Sequence, residues 1–139
     1  NLKNRFGDLC TEAINLHMRF PYSVIGALFA MPEEADEDRT VQRRITTFER
    51  ARVLLGTISG RNDYSSPGEK FEDIVVMLFR PATTQVPDPS VKLYLATTSQ
   101  DVRQELSEAE YFGRLRDIFN IRNPQTQIGV EPLGDDEEE

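Results

Sequence analysis

The sequence is poor in several residue types on which common functional sites depend. Its 139 residues contain one cysteine, one histidine and no tryptophan. A single cysteine cannot form an internal disulfide, so the chain is not a disulfide scaffold and we expect Cys10 to be a buried thiol. Because His17 stands alone, a metal site built from several histidines is excluded. No Gly-x-Ser-x-Gly turn accompanies it, so we expect His17 to be an ordinary residue on a helix face.

Long apolar runs are also missing. No stretch reaches the roughly 18 consecutive apolar residues that a membrane-spanning helix needs, and no signal-peptide pattern is present. We therefore expect a cytoplasmic protein with no membrane partner. The chain begins at Asn1, and three interpretations stay open: a processed product, a trimmed chain or the ordered part of a longer protein.

The acidic residues are concentrated in a linker and in the C-terminal tail. The net charge is −8, but 11 of the 24 carboxylates lie in these two segments. The other 13 acidic residues stand against 16 basic residues, so the body of the chain has a net charge of +3. Binding to nucleic acid depends on clustered positive potential, so an acidic pI does not exclude it. The carboxylates concerned are Glu33, Glu34, Asp36, Glu37, Asp38, Glu131 and Asp135–Glu139.

The chain is organised around the apolar segment Phe71–Phe79, FEDIVVMLF. Its run of β-branched and aliphatic residues, closed by Pro81, predicts a strand that is buried on both faces. A second run, Ser23–Met31, has the same character and is closed by Pro32. Two buried strands separated by a helical segment predict a parallel βαβ unit, in a sheet with helices on both faces.

Periodicity and turn signals predict the elements around these strands. Apolar residues at three- and four-residue spacing predict a first helix over Leu2–Met18 and a second over Thr40–Ile58, with Val41 in its core stripe. Alternation over Val91–Ala96 predicts a strand with one polar face near a sheet edge. We expect Asp101–Leu106 to add a short turn of helix.

The last helix has a clear start signal and is followed by an acidic tail. Ser107 and Glu110 form a capping box, which predicts a helix with Phe112 on its buried side. The sequence thus predicts one α/β domain over residues 1–124, with element order α-β-α-β-β-α and a mixed or mostly parallel sheet. We expect residues 125–139 to be an extended acidic tail, disordered over Gly134–Glu139.

Basic residues gather at two places that a phosphate group could reach. One group stands at the start of the first helix, the wrong end for cations that only serve the helix dipole, and here a phosphate contact and a solvated first turn both stay open. The second helix is unusually rich in arginine, with Arg39, Arg43, Arg44, Arg50 and Arg52 expected on its polar side. For this helix a solvated face, a nucleic-acid backbone and an acidic partner all stay open. The candidate nucleic-acid-binding residues are Lys3, Asn4, Arg5, Arg43, Arg44 and Arg61.

Several segments resemble the later part of a PD-(D/E)xK nuclease core. They are NLKNRFGDL at the start of a helix, the strand VIGALFAM, the helix TFERARVLLGTISGR and the strand EKFEDIVVMLF. Their arrangement is similar to that of a group of bacterial restriction-endonuclease-like proteins, in which a helix with an N-x-x-N-R-like start follows the catalytic strand. The resemblance covers most of residues 1–123 and implies that the domain belongs to a larger nuclease core that binds duplex DNA.

The catalytic signature of that family is not in this sequence. Its acidic residue and Asp/Glu-x-Lys motif, which bind Mg²⁺ and activate the attacking water, would lie before Asn1. The resemblance therefore implies no catalytic or metal-binding residue in this chain, and Mg²⁺ as a cofactor only with the missing catalytic half. That N-terminal part, or another subunit, would then be a partner, and an oligomer stays open. The alternative is a non-enzymatic α/β protein-interaction module with an acidic tail.

Overall fold

The computed structural model describes residues 1–129 and shows three α-helices and one four-stranded sheet within them. A short 3₁₀ helix, Glu33–Asp36, follows the first strand. The α-helices are α1 (Leu2–Arg19), α2 (Thr47–Gly56) and α3 (Glu108–Arg122). The strands are β1 (Gly26–Pro32), β2 (Asp73–Arg80), β3 (Ser90–Leu95) and β4 (Glu105–Leu106).

The sheet is mixed, and its strand order is β1-β2-β3-β4. Strand β1 runs parallel to β2, with Leu28 opposite Val75, whereas β3 and β4 each run antiparallel to their neighbour. A parallel neighbour requires a crossover, which α2 supplies between β1 and β2. The predicted α/β fold class and the βαβ unit are confirmed.

Successive side chains of β2 pack against different helices because a strand alternates its side chains between the two faces. Ile74, Val76 and Leu78 join the core cluster that contains residues of α1 and α2. Val75 belongs to a second cluster, formed with Leu95 and with residues of α3. Helices therefore cover both faces of the sheet, as predicted.

The two apolar runs differ in how fully they are buried. The prediction for Phe71–Phe79 is confirmed for the strand and its place inside the sheet, and both faces are buried up to Val76, whereas Met77 and Phe79 are partly exposed. The prediction that Ser23–Met31 is buried on both faces is wrong. Strand β1 is one of the two edge strands of the sheet in the described chain, and Leu28 in its middle is 50% exposed.

The second helix is shorter than predicted because its start signal lies within the predicted range. Thr46 accepts a hydrogen bond from the backbone N–H of Glu49, and the Glu49 side chain accepts one from the Thr46 N–H. This capping box starts α2 at Thr47 and leaves the preceding residues in a loop. Val41, expected in the core stripe, is 99% exposed. Gly60, with φ of +84°, takes the left-handed conformation expected for it after the helix.

The C-terminal elements agree with their start signal but not with every detail of the prediction. The capping box of Ser107 and Glu110 is present and opens α3. Residues Asp101–Leu106 do not add a helical turn, because Glu105 and Leu106 pair with β3 as β4. Phe112, expected on the buried side of α3, is exposed. Of the predicted tail, residues 130–139 lie outside the described part of the chain.

Candidate functional site

Two neighbouring depressions lie on one side of α2. They are lined by residues from the start of α1, from the loop before α2 and from α2 itself. One, of about 430 Å³, is lined by Lys3, Arg43 and Arg50. The next, of about 530 Å³, is lined by Arg39, Arg44 and again Arg50. Because Leu2 and Leu54 also border both depressions, we treat them as one site. We call it the arginine groove, with the cationic members Lys3, Arg39, Arg43, Arg44 and Arg50.

Local hydrogen bonds fix the loop that carries two of these cations. Thr40 and Arg43 exchange backbone hydrogen bonds of 2.9 and 3.1 Å, and the Arg43 N–H also donates to the Thr40 hydroxyl at 2.9 Å. Asp38 accepts the Thr47 N–H at 2.7 Å at the start of α2. The loop is thereby closed on itself and attached to the helix, so that Arg43 and Arg44 keep a defined position beside it.

Some cations of the arginine groove form ion pairs with carboxylates, and others do not. Arg39 bonds Glu49 at 3.2 Å, and Arg43 bonds Asp38 at 2.9 Å. Within residues 1–129, Lys3, Arg44 and Arg50 have no carboxylate within ion-pair distance. All three are exposed, so their charges face the open groove.

The pKa values of the two paired carboxylates agree with this division. Hydrogen bonds from the side chain and the backbone of Thr47 hold the pKa of Asp38 below its usual value. Burial works against ionisation of Glu49, but bonds from the Thr46 N–H and from Arg103 outweigh it and lower that pKa as well. Both groups are therefore ionised at neutral pH and offset the charges of their arginine partners.

The floor of the groove is apolar. Leu2, Val53 and Leu54 are half-buried, and Ile45 is partly exposed. Helical spacing explains this arrangement, because residues three and four apart share one face of α2. Thr47, Arg50 and Leu54 follow that spacing and line one depression. This spacing is the signal that could have added Arg50 to the predicted binding residues.

The predicted binding residues at the start of α1 do not all reach the groove. Lys3 lines it, whereas Asn4 and Arg5 are exposed beside it and do not. Arg5 lies 3.7 Å from Asp8, one helical turn away, in an exposed ion pair. Of the six residues predicted from the sequence, the fold thus brings together Lys3, Arg43 and Arg44.

Arg61, the sixth predicted residue, lies inside the protein. It is 3% exposed, and its Nη1 donates to Glu72 Oε1 at 2.8 Å. Arg122 Nη1 donates to the same oxygen at 2.6 Å, while the other Glu72 oxygen accepts the Ile25 N–H at 2.8 Å and lies 3.3 Å from His17 Nε2. We call Glu72, Arg61, Arg122 and His17 the Glu72 cluster.

The Glu72 cluster joins distant segments at the point where β2 begins. Burial opposes ionisation of the Glu72 carboxyl, but donated hydrogen bonds from Arg122, the Ile25 N–H and Arg61 outweigh it. They hold the pKa of this carboxyl below its usual value. His17, expected as an ordinary helix-face residue, also bonds the Gly68 carbonyl oxygen through Nδ1 at 2.8 Å. The cluster therefore ties α1, the loop after α2, β2 and α3 together.

Arg52 is a second buried arginine, and its predicted place on the polar side of the helix is wrong. The side chain is fully buried and donates to Thr97 Oγ1, the Val102 carbonyl and the Gln100 carbonyl at 3.0, 2.8 and 3.1 Å. Gly56 lets the same helix approach this loop closely, because a Cβ there would overlap the backbone of Thr97. Arg52 thus fixes α2 to the loop after β3.

The described residues do not fit a magnesium site. Within residues 1–129, no three carboxylate, histidine or cysteine side chains lie together in a way that could hold a metal ion. The two adjacent carboxylates at the start of β2 already have cationic partners, since Glu72 bonds Arg61 and Arg122, and Asp73 bonds Arg114 at 2.6 Å. None of the helices in this part of the chain is long and apolar enough to cross a membrane.

No protein-family model, no curated protein and no solved structure matches this chain.

Proposed function

We propose that the protein binds the phosphate backbone of duplex DNA through the arginine groove, as a DNA-contacting part of a restriction-endonuclease-like protein. One observation carries this proposal. Lys3, Arg44 and Arg50 come from separate segments, surround one open groove and have no carboxylate partner within residues 1–129. Exposed cations without partners can exchange their counterions for phosphate groups.

The groove cations suit backbone contact better than base recognition. An arginine that contacts phosphate releases condensed counterions, and this term depends on salt but carries no sequence information. The paired members Arg39 and Arg43 add less, because each already has a carboxylate neighbour. We therefore expect binding that is largely independent of DNA sequence and falls steeply as salt rises.

The role proposed for this chain is binding and not metal chemistry. Mg²⁺-dependent hydrolysis would need carboxylates that the described residues do not offer, so we assign no catalytic step to them. We propose the cytoplasm as the location of the protein, since a reducing compartment suits its single thiol, Cys10.

The test is the double variant Arg44→Ala/Arg50→Ala, measured by fluorescence anisotropy on a labelled duplex over a salt series. We expect weaker binding at low salt and a salt slope lower by about 0.9 for each lost phosphate contact. The matched control is Arg19→Ala/Lys92→Ala, which removes the same charge from two exposed side chains away from the groove that have no ion-pair partner within residues 1–129. Arg103 would be a poor control, because it bonds Asp36 at 2.6 Å and lies over the Phe48 ring.

The proposal fails if both double variants weaken binding equally, since net charge alone would then explain the result. It fails equally if the wild-type protein does not bind duplex DNA at low salt.

A second candidate function, binding of an acidic protein segment, is favoured by the apolar floor of the groove. Phosphate contact has no need for Ile45 and Leu54, whereas an acidic amphipathic helix would bury them while its carboxylates meet the arginines. The single variant Ile45→Ser separates the two functions. It should weaken binding of an acidic amphipathic peptide and leave duplex binding unchanged.

A further inference from the structure

The face of the sheet that packs against α3 is covered over only part of its length. Along β2, Val75 on this face is fully buried, whereas Met77 and Phe79 are partly exposed. On the opposite face Ile74 and Val76 are fully buried and Leu78 is nearly so. The cover given by α3 therefore ends near the middle of the strand.

The position of α3 explains why the cover ends there. At its C-terminal end, Arg122 bonds Glu72 and the Ser23 carbonyl, both at the start of the parallel strands. Near its N-terminal end, the Tyr111 hydroxyl donates to the Ala27 carbonyl at 3.1 Å. Both attachments hold the helix over the first half of β1 and β2, and the second half stays open.

The open part of this face forms an apolar groove of about 670 Å³, which we call the sheet groove. Three of its members are large apolar side chains that are mostly exposed: Leu28 at 50%, Val91 at 64% and Phe112 at 57%. Met77, Leu93 and Leu106 also line it. From β1 to β3 the sheet spans two strand spacings, roughly 10 Å, which is about the diameter of an α-helix. Contiguous apolar surface of this kind marks an interaction site.

One edge of the sheet groove is acidic. Glu105, Glu108 and Glu110 line it, and the only cation that lines the groove within residues 1–129 is Lys92. Glu110 is partly used by its bond to the Ser107 N–H in the capping box. Glu105 and Glu108 have no cationic partner within ion-pair distance in the described chain. Two copies of the protein facing each other through this groove would bring three carboxylates of each copy together against one lysine of each, and this net repulsion disfavours a self-association surface.

We propose that the sheet groove docks a basic amphipathic helix of a partner protein. The apolar side of that helix would cover Leu28, Val91 and Phe112, and its lysine or arginine side chains would face Glu105 and Glu108. This surface lies on the other side of the sheet from the arginine groove, so the inference goes beyond the proposed DNA binding and does not depend on it.

The probe for the test is a synthetic Leu/Lys peptide with leucines at helical spacing, compared with a peptide of the same composition whose leucines lack that spacing. We expect the protein to bind the amphipathic peptide about tenfold or more tightly than its scrambled counterpart, by fluorescence anisotropy. The double variant Leu28→Ser/Phe112→Ser should lower the affinity for the amphipathic peptide about tenfold. Glu105→Gln/Glu108→Gln should weaken binding and flatten its salt dependence.

The control is Val41→Ser, which removes a still more exposed apolar side chain outside the groove and should leave peptide binding unchanged. Each variant is first checked for cooperative unfolding, and Leu28→Ser alone serves if the double variant does not fold. Equal binding of both peptides, or equal loss in Val41→Ser, would overturn the proposal. So would a concentration-dependent dimer in sedimentation that Phe112→Ser abolishes, since a second copy would then occupy the groove.

Discussion

The arginines of the Glu72 cluster and those of the arginine groove have the same side chain but different surroundings. Arg61 and Arg122 are buried and share one carboxylate, whereas Arg44 and Arg50 are exposed and have no carboxylate partner in residues 1–129. Burying a guanidinium is costly unless a carboxylate or several oxygen acceptors inside the protein offset the lost hydration. A guanidinium at the surface without a carboxylate partner adds little to stability and is available to a ligand. The partner of an arginine therefore decides whether its side chain stabilises the fold or is available to a ligand.

The largest expected effect comes from breaking the buried set. Glu72→Gln keeps the size of the side chain but removes the charge that Arg61 and Arg122 share. We expect the free energy of unfolding to fall by about 3 to 5 kcal/mol, as for other buried pairs that lose one partner. Urea unfolding measures this loss. Glu69→Gln, an exposed residue of the neighbouring loop, is the control, and a loss below about 1 kcal/mol would contradict the argument.

Acidification should weaken the same cluster in the wild-type protein. The pKa of Glu72 is lower in the folded protein than its ordinary value of 4.5. The stabilisation that its charge provides is therefore fully present above that value and is lost as the pH falls through the lower folded pKa. We expect the urea concentration at the unfolding midpoint to decrease as the pH falls below 4.5. The decrease should be smaller in Glu72→Gln. The same pH dependence in both proteins would show that other carboxylates dominate.

We expect the smallest effect on stability from the unpaired arginines of the arginine groove. Arg44→Ala/Arg50→Ala should change the free energy of unfolding by less than about 0.5 kcal/mol, because neither side chain is buried or paired. The measurement is the same urea titration, set beside the DNA-binding result for the same variant. A loss of about 2 kcal/mol or more would mean that these arginines support the fold, and the distinction between the two sets would not stand.

The sequence predicted most of the fold because its strongest signals are local. The run in Phe71–Phe79 and the capping box at Ser107 depend on neighbouring residues, and both predictions are confirmed. Strand β4 was missed because a two-residue strand has no periodicity and exists only through its pairing with Leu93 and Tyr94. The predicted α2 is too long because the apolar spacing also includes residues that precede the capping box at Thr46.

The candidate site was predicted in part, for a related physical reason. Clusters of basic residues at the start of α1 and before α2 are visible in the sequence, and Lys3, Arg43 and Arg44 do share a groove. Arg61 and Arg52 look the same in the sequence as those residues. Their partners, Glu72 and the loop that contains Gln100, become neighbours only in the folded chain. The resemblance to a PD-(D/E)xK nuclease, and the function that it implies, stay predictions.

The bonds of Arg52 have a consequence for any ligand of the arginine groove. Gln100 and Asp101 form one wall of the groove, and Arg50 lies on another. Arg52, two residues after Arg50 in the same helix, donates a hydrogen bond to the Gln100 carbonyl and so holds the first wall. This bond joins the two walls, so the fold sets their spacing. A ligand meets a preorganised site and has little loop entropy to remove on binding. Loosening this attachment should weaken binding even though Arg52 itself touches no ligand.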